Sequence, residues 1–140
     1  MEKISSKYFL TGCLIIIIMV FVIATIVGKN QMRSAFLHSK YTVGTMTSNW
    51  HQKNNNGIGT DFIYMVDGTV FSKTSHSDLR KGDKYMVLYD SLKPSVFLLL
   101  YNHKLPAHLE APPNGWKFSE IPISLDSSDL KVYIEELDLD

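Results

Sequence analysis

The chain has 140 residues, of which 45% are hydrophobic and 20% charged, and its 14 basic side chains equal its 14 acidic ones in number. This length suits one modest domain, and a net charge of zero argues against nucleic acid as a partner, because neutralising phosphates requires an excess of Lys and Arg. The one cysteine, Cys13, excludes an intramolecular disulfide.

Charge is distributed unevenly along the chain. Residues 1–40 carry five basic and one acidic side chain, residues 41–125 carry eight basic and seven acidic, and residues 126–140 carry one basic and six acidic. The chain is therefore basic at its start, balanced in the middle and acidic at its end. Residues 1–7 form a short basic head, and residues 126–140 form an acidic C-terminal tail.

A continuous apolar stretch follows the head. Residues 9–27, FLTGCLIIIIMVFVIATIV, contain no charged side chain, and thirteen of them are Leu, Ile, Val or Phe. A helix of this length extends roughly 28 Å, close to the hydrocarbon thickness of a bilayer, and its summed insertion free energy is about −4 to −8 kcal/mol. The sequence therefore predicts a transmembrane helix over residues 8–28, and with it a single-pass membrane protein in contact with the lipid bilayer.

Two kinds of cleaved signal are alternatives to an uncleaved anchor. The apolar run is longer than the core of a signal peptide, and no clear Ala-x-Ala cleavage site follows it. Residues 10–13, LTGC, resemble a bacterial lipobox, but here the long apolar run follows the cysteine instead of preceding it. A basic head before an uncleaved run has the layout of a signal anchor, which predicts a cytoplasmic N-terminus and an extracytoplasmic β-domain. The flanking basic residues are balanced and do not decide the orientation.

From residue 41 onwards the pattern changes to short apolar segments separated by Gly, Asn, Asp and Pro, which is typical of β-structure. We predict a small all-β domain over residues 41–125, antiparallel and barrel- or sandwich-like. A juxtamembrane linker at residues 29–40 joins it to the helix, with continuation of the helix as the alternative. About five strands are expected, at residues 41–48, 60–66, 69–74, 83–90 and 95–101.

Two features indicate how these strands are arranged. Asp67-Gly68, between TDFIYMV and TVFSKT, predicts a two-residue hairpin turn, because a type I′ turn needs two residues that tolerate positive φ. Residues 60–66 and 83–90 carry apolar side chains on both alternating faces. This pattern predicts two central strands that are covered on both sides.

The same segments resemble a known family. Residues 64–68 (YMVDG), residues 82–90 (GDKYMVLYD) and Pro94-Ser95 are similar to the running pattern Y-x-V-D-G, then G-D-x-Y-x-V-x-Y-D, then P-x, of a bacterial domain-of-unknown-function family of small single-pass membrane proteins. The resemblance covers residues 60–100 and the preceding helix. The sequence departs from the family in DSLKP at residues 90–94 and in the acidic tail. The resemblance implies a small extramembrane β-domain and brings no catalytic residues.

No pattern predicts catalysis or a cofactor. Residues 75–78, SHSD, hold the residue types of a hydrolase triad, but neighbours in sequence point in different directions. His103 and His108 lie in a Pro-flanked loop, and the five histidines do not show the spacing of a structural zinc site. Phosphate-binding, dinucleotide-binding and metalloprotease motifs do not occur in the sequence. We therefore expect that the protein is not an enzyme and binds no metal or cofactor.

Aromatic residues and the acidic tail are the candidate partner-binding features. Trp50, and Trp116 with Phe118, would form a contact patch if they are exposed; the alternative is that Trp116 folds back to cap the domain. The tail alternates apolar and charged side chains, which predicts an added edge strand or an acidic peptide that orders on a partner, with disorder as the alternative. Glu135 and Glu136 are its candidate contact residues.

These features favour a membrane-anchored β-domain that binds another protein or an envelope component without chemistry of its own. A structural accessory subunit of a membrane complex, acting through its transmembrane helix, is one alternative. A small-ligand-binding or hydrolytic domain that uses the histidine-bearing loops is the other.

Overall fold

The computed structural model describes residues 6–53 and 57–139. It contains a long N-terminal helix, a six-stranded antiparallel sheet and a short C-terminal helix. This architecture confirms the predicted class, an apolar helix followed by an all-β domain; most of the predicted basic head lies outside the described residues. The elements are α1 (Ser6–Leu37), β1 (Ser39–Met46), β2 (His51–Lys53), β3 (Gly57–Val66), β4 (Thr69–Ser75), β5 (Lys84–Asp90), β6 (Phe97–Leu105), a 3-10 turn (Phe118–Glu120) and α2 (Ser127–Glu136).

The helix α1 lies near the N-terminus and is long and apolar enough to cross a membrane, by length and composition. The large hydrophobic side chains from Phe9 to Val27 are 47–74% exposed. Burying one such side chain is worth about 1.5–3 kcal/mol, so leaving all fourteen of them in water is strongly unfavourable. The domain therefore leaves this segment uncovered.

The residues predicted as a juxtamembrane linker, 29–40, instead form the last turns of α1 and the start of β1, with His38 between the two elements. The reason is tertiary packing. Ala35 is completely buried in the domain, and Met32 and Phe36 pack beside it. These three positions lie on one face of a helix, so their burial continues the helical conformation about three turns past the apolar stretch.

The strands follow the order β4–β3–β1–β5–β6, and each neighbouring pair is antiparallel. The two strands predicted to be central, β3 and β5, are inside the sheet, and β4 and β6 form its edges. The prediction that both are covered on both sides is confirmed for β5 and wrong for β3, because Ile63 and Met65 on its second face are 37% and 53% exposed. The predicted Asp67-Gly68 turn is present, with positive φ at both residues (48° and 77°). β2 is an additional strand: it pairs with the first residues of β3, and an irregular segment at residues 47–50 separates it from β1.

Both faces of the sheet carry an apolar core. On the first face, Phe62 and Tyr64 of β3 pack with Val87 of β5. On the second face, Met86 and Leu88 of β5 are covered by α1, α2 and the segment between β6 and α2. β5 alternates between the two cores, and all of its residues after the first are buried. The first core is therefore formed by the strands themselves together with Leu79, and the helices cover only the second face of the sheet.

The acidic tail, predicted as an edge strand or an unordered peptide, forms α2 and packs on β6. Asp126 is the N-cap residue, and its N–H donates to the Asp129 carboxylate (2.9 Å), which closes the first turn of the helix. Tyr133 is 2% exposed, and its hydroxyl accepts the Asn102 N–H (3.2 Å). Asn102 lies in a bulge of β6, so α2 docks on the irregular part of an edge strand.

Candidate functional site

A cleft of about 460 Å³ lies between the two edge strands of the sheet, and we call it the edge cleft. The end of β4 forms one wall, the first half of β6 forms the other, and the C-terminal end of α2 closes a third side. Its volume is within the usual range for ligand sites, about 300–1,000 Å³. The lining residues are Thr74, Ser75, His76, Ser77, Phe97, Leu98, Leu99, Tyr101, Tyr133, Glu136 and Leu137.

The two edge strands are each hydrogen-bonded on one side. β4 pairs with β3 and β6 pairs with β5, and within the described residues no strand pairs with their outer sides. Side chains nevertheless bring the edges together. The Phe97 ring of β6 lies 5.6 Å from the Phe62 ring and 5.7 Å from the Tyr64 ring. The Lys73 ammonium of β4 lies 5.1 Å from the centre of the Phe97 ring. Two unpaired backbone edges therefore flank a cleft that is partly aromatic.

The β3–β4 hairpin indicates which backbone groups of β4 are free. Val66 and Thr69 flank the two-residue turn and are partners, and residues in this position exchange both of their backbone hydrogen bonds. Hydrogen-bonded and non-hydrogen-bonded pairs alternate from there. The N–H and C=O groups of Val70, Ser72 and Thr74 therefore point away from β3, along the free edge of β4.

The other strand of the hairpin agrees with this alternation. Asp61 is the β3 partner of Thr74, and its carbonyl oxygen turns to the side opposite β4, where it accepts the Thr47 N–H (2.8 Å). The Asp61–Thr74 pair is thus a non-hydrogen-bonded one, as the turn geometry requires.

Tyr101 and Glu136 form the α2 end of the edge cleft. The Tyr101 ring packs 5.4 Å from the Tyr133 ring, and its hydroxyl donates to Glu136 Oε2 (3.1 Å). Burial, and then this hydrogen bond, raise the pKa of the Tyr101 hydroxyl, so it remains a donor at neutral pH. Glu135 pairs with Lys131 (3.8 Å) instead. Of the two predicted acidic contact residues, the structure places Glu136 in the cleft and Glu135 outside it.

The β4 wall of the cleft is polar and internally bonded. His76 Nδ1 lies 3.1 Å from the Ile58 carbonyl oxygen. Ser75 Oγ accepts the Ser77 N–H (3.2 Å), and the Thr60 hydroxyl donates to the Ser77 carbonyl (3.0 Å). Ser75, His76 and Ser77 of the Ser-His-Ser-Asp motif thus form this wall, and Asp78 does not line it.

The three aromatic residues predicted as a contact patch lie apart from the edge cleft and differ in accessibility. Trp50 is 48% exposed between β1 and β2, and Phe118 is 42% exposed with its ring 5.9 Å from the Tyr41 ring. Trp116 is 9% exposed in the core of the second face, where it exchanges two backbone hydrogen bonds with Tyr41 (2.8 and 2.9 Å). Trp116 is therefore a core residue that folds back onto the domain, and it does not offer its ring to a partner.

Ser48, His51 and Asp61 form a second polar cluster, which the sequence pattern did not indicate. Ser48 Oγ lies 3.3 Å from His51 Nδ1, and His51 Nε2 lies 3.5 Å from Asp61 Oδ2. Ser48 Oγ also accepts the Asp61 N–H (2.9 Å), and the Thr74 hydroxyl donates to the Asp61 carboxylate (2.6 Å). His51 Nδ1 is in addition 3.0 Å from the Asn49 carbonyl oxygen. These bonds hold the irregular segment between β1 and β2 against β3.

The two histidines predicted in one loop are separated in the structure. His103 lies within β6; its Nε2 is 3.4 Å from the Asp129 carboxylate, and its buried Nδ1 has no hydrogen-bond partner in the described chain. His108 lies on an exposed turn after β6. Within residues 6–53 and 57–139, no three His, Cys, Asp or Glu side chains come together so that they could hold a metal ion.

Comparison with known protein families, curated proteins and solved structures returns no match. The resemblance of residues 60–100 to the bacterial domain-of-unknown-function family therefore stays a prediction. The geometry of α1 and of the edge cleft is the basis on which the function is argued.

Proposed function

We propose that this protein is anchored in a membrane by α1 and that its β-domain binds an extended segment of a partner protein in the edge cleft, without catalysis of its own. The observation that supports this is the pair of facing edges, β4 and β6, which have no outer backbone partner within the described residues. Exposed edges promote pairing with other chains unless they are covered. An extended backbone offers N–H and C=O groups on both sides, so one inserted strand satisfies both edges.

The anchor follows from the composition of α1. Residues 9–27 match the thickness of the hydrocarbon core, and their large apolar side chains are left uncovered by the domain. We place the N-terminus in the cytoplasm and the β-domain outside it, because a short basic head before an uncleaved apolar run has the layout of a signal anchor. In this orientation the partner is a protein of the cell envelope.

The contact between α1 and the domain supports a fixed position of the cleft above the membrane. The Ser34 hydroxyl donates to Asp90 Oδ2 (2.7 Å), and Asp90 Oδ1 accepts the Leu92 N–H (2.8 Å). Burial of Asp90 opposes its ionisation, but these hydrogen bonds outweigh it and lower the pKa of the carboxyl group. Arg33 Nε also donates to the Leu139 carbonyl (3.2 Å). A domain held in this way presents its cleft to its neighbours in one orientation.

Peptide selection on the full-length protein in detergent micelles tests this proposal. Short random peptides are displayed, selected for binding and then resynthesised with one N-methyl group at each position in turn. A methyl group removes one backbone donor, and successive donors of a strand point to opposite sides. Since both sides of the bound strand are paired but its ends are not, we expect loss of binding at every central position and tolerance at the ends. A peptide held by side chains alone would tolerate central N-methylation.

Two serine-to-proline variants provide the matched control. Ser72 is exposed, lies two residues before Thr74, the first β4 residue that lines the cleft, and its N–H points along the same free edge. Proline there removes a donor that a strand extending along β4 would use, without breaking the β3 ladder. Ser127 is the first residue of α2, where proline is tolerated, and Asp126 before it is already extended (φ −97°, ψ 156°), as proline requires. We expect Ser72→Pro to weaken binding roughly tenfold, the value of one lost hydrogen bond, and Ser127→Pro to leave it unchanged. Equal affinity of both variants contradicts the proposal.

Exchange of the anchor separates this function from that of an accessory subunit that acts through α1. Residues 9–27 are replaced by an unrelated apolar sequence of the same length, which keeps the protein in the membrane. The selected peptides should bind as before, because the cleft contains no residue of α1. If the exchange leaves peptide binding intact but abolishes the function of the protein in cells, the result would favour the hypothesis that the protein is an accessory subunit acting through α1.

A further inference from the structure

The two edges of the cleft run in the same direction. β4 is antiparallel to β3, β3 to β1, β1 to β5 and β5 to β6, and four reversals make β4 and β6 parallel to each other. A strand between them is therefore antiparallel to both or parallel to both. Antiparallel pairing is the more stable of the two per residue, and it would continue the alternation found throughout this sheet.

Opposite charges lie at the two ends of the β6 wall of the cleft: Lys73 lies just outside the lining, against Phe97, and Glu136 belongs to the lining. At the start of β6, the Lys73 ammonium lies 5.1 Å from the centre of the Phe97 ring. Four residues further along β6, the Tyr101 hydroxyl is bonded to the Glu136 carboxylate (3.1 Å). Neither Lys73 nor Glu136 has an ion-pair partner among the described residues. Each charge is therefore available to a ligand.

Direction and charge together define the ligand. A strand antiparallel to β6 enters at the Glu136 end and finishes at the Lys73 end. From Phe97 to Tyr101 the distance is four residue steps, about 14 Å at about 3.4 Å per residue. We infer that the bound segment is antiparallel to β4 and β6 and has a basic residue, three β-forming spacers and an acidic residue in that order; this inference rests on the function proposed for the edge cleft.

Two synthetic peptides of identical composition test the order of the charges. One reads Thr-Lys-Val-Thr-Val-Glu-Thr and the other Thr-Glu-Val-Thr-Val-Lys-Thr, both with blocked ends and a fluorescent label, and binding to the full-length protein in micelles is measured by anisotropy. Reversing the order replaces two attractions by two repulsions at partly exposed sites, so we expect the first peptide to bind roughly tenfold more tightly. The preference should shrink at about 1 M salt, where the screening length falls to about 3 Å.

Exchanging the two charges in the protein is the decisive experiment. The double variant Lys73→Glu with Glu136→Lys should invert the preference between the two peptides. The control, Lys81→Glu with Glu135→Lys, changes the same residue types outside the cleft and should leave the preference unchanged. Urea unfolding checks that both variants are folded before their affinities are compared.

The outcomes separate this inference from the proposed function. A preference that favours the first peptide and inverts in the cleft variant supports the inference. Equal affinities of the two peptides, with binding still weakened in Ser72→Pro, overturn the charge order but leave strand binding in the cleft intact. A preference for the second peptide overturns the antiparallel direction. Binding of neither peptide overturns the inference, and failure of the library selection as well would remove the proposed function with it.

Discussion

Gly115→Ala should destabilise the domain far more than Gly68→Ala, although both glycines have positive φ (68° and 77°). An alanine in the left-handed region costs about 1 kcal/mol at either position. A Cβ at Gly68 would meet nothing within 4 Å, so this is the whole effect there. A Cβ at Gly115 would lie 2.5 Å from the Tyr89 hydroxyl and 2.7 Å from the Tyr41 carbonyl oxygen, so one of these groups must move.

Movement of either group breaks hydrogen bonds that hold Trp116 in the core. The Tyr89 hydroxyl donates to the Asn114 carbonyl (2.8 Å), and Tyr41 exchanges two backbone bonds with Trp116. Burial, and then the charge of Asp67, raise the pKa of Tyr89 to about 12, so its hydroxyl is a donor across the neutral range. Loss of two such bonds at about 1 kcal/mol each brings the expected cost of Gly115→Ala to about 3 kcal/mol, against about 1 kcal/mol for Gly68→Ala.

Urea unfolding of the full-length protein in micelles, followed by tryptophan fluorescence, measures this difference. The slope of the transition should be the same for wild type and both variants, which licenses comparison of the midpoints as free energies of unfolding. Equal destabilisation by the two substitutions would refute the reasoning, because it would mean that the fit of Gly115 against Tyr89 and Tyr41 has no energetic weight.

Three further predictions concern acid sensitivity, α2 and the anchor. The pKa of Asp90 is lowered in the folded protein, so its ionised form contributes stability above the unfolded-state pKa of about 3.9, and this contribution is lost as the pH falls through the folded value. Acid unfolding of wild type should therefore be steeper below about pH 4 than that of Asp90→Asn. Parallel unfolding curves would contradict this. Tyr133→Phe removes the acceptor of one hydrogen bond and should cost about 1 kcal/mol with faster amide exchange in α2, whereas unchanged exchange would show that this bond does not hold the helix. Ile17→Lys together with Ile18→Lys adds roughly 6 kcal/mol to the insertion free energy and should release the protein from membranes on alkaline extraction. The control Leu92→Lys, at an exposed site outside α1, should not release it. Retention of the double variant in the membrane would count against the anchor.

The helix and most strands could be predicted because each is set by a local pattern. Residues 9–27 contain no charge at all, and Asp67-Gly68 is a turn that any two flanking β-segments would use. β5 shows apolar residues on both faces because both of its faces are buried, whereas the apolar Ile63 and Met65 of β3 are exposed. In each case the residues that decide the structure lie within the element itself.

The prediction for the tail is wrong because its sequence fits both a strand period and a helix period. Leu130, Val132 and Ile134 alternate with polar residues, as in a strand. Leu130, Tyr133, Ile134 and Leu137 also follow the three- and four-residue spacing of a helix face. The buried Tyr133 shows that the helical face is the one in use. Asp126 at the N-cap, followed three positions later by the acidic Asp129, is the sequence signal that favours the helix.

The helix junction and the edge cleft depend on contacts distant in sequence, and no local pattern predicts them. Ala35 is buried by strands that follow it in the chain, so its segment appears as a polar linker when considered alone. The cleft exists because β4 and β6, at opposite ends of the strand order, curl towards each other. Glu136 lies in the cleft because α2 docks on the β6 bulge.

Amide hydrogen exchange along β4 tests most directly whether the cleft takes up a strand. In the free protein, the amides of Phe71 and Lys73 should be protected by β3, while those of Val70, Ser72 and Thr74 exchange rapidly. Binding of a selected peptide should protect the second set, beginning with Thr74, the member that lines the cleft, and should leave the first set unchanged. If those three amides are already protected in the free protein, or stay unprotected when a peptide is bound, β4 does not receive a strand and the proposed function is wrong.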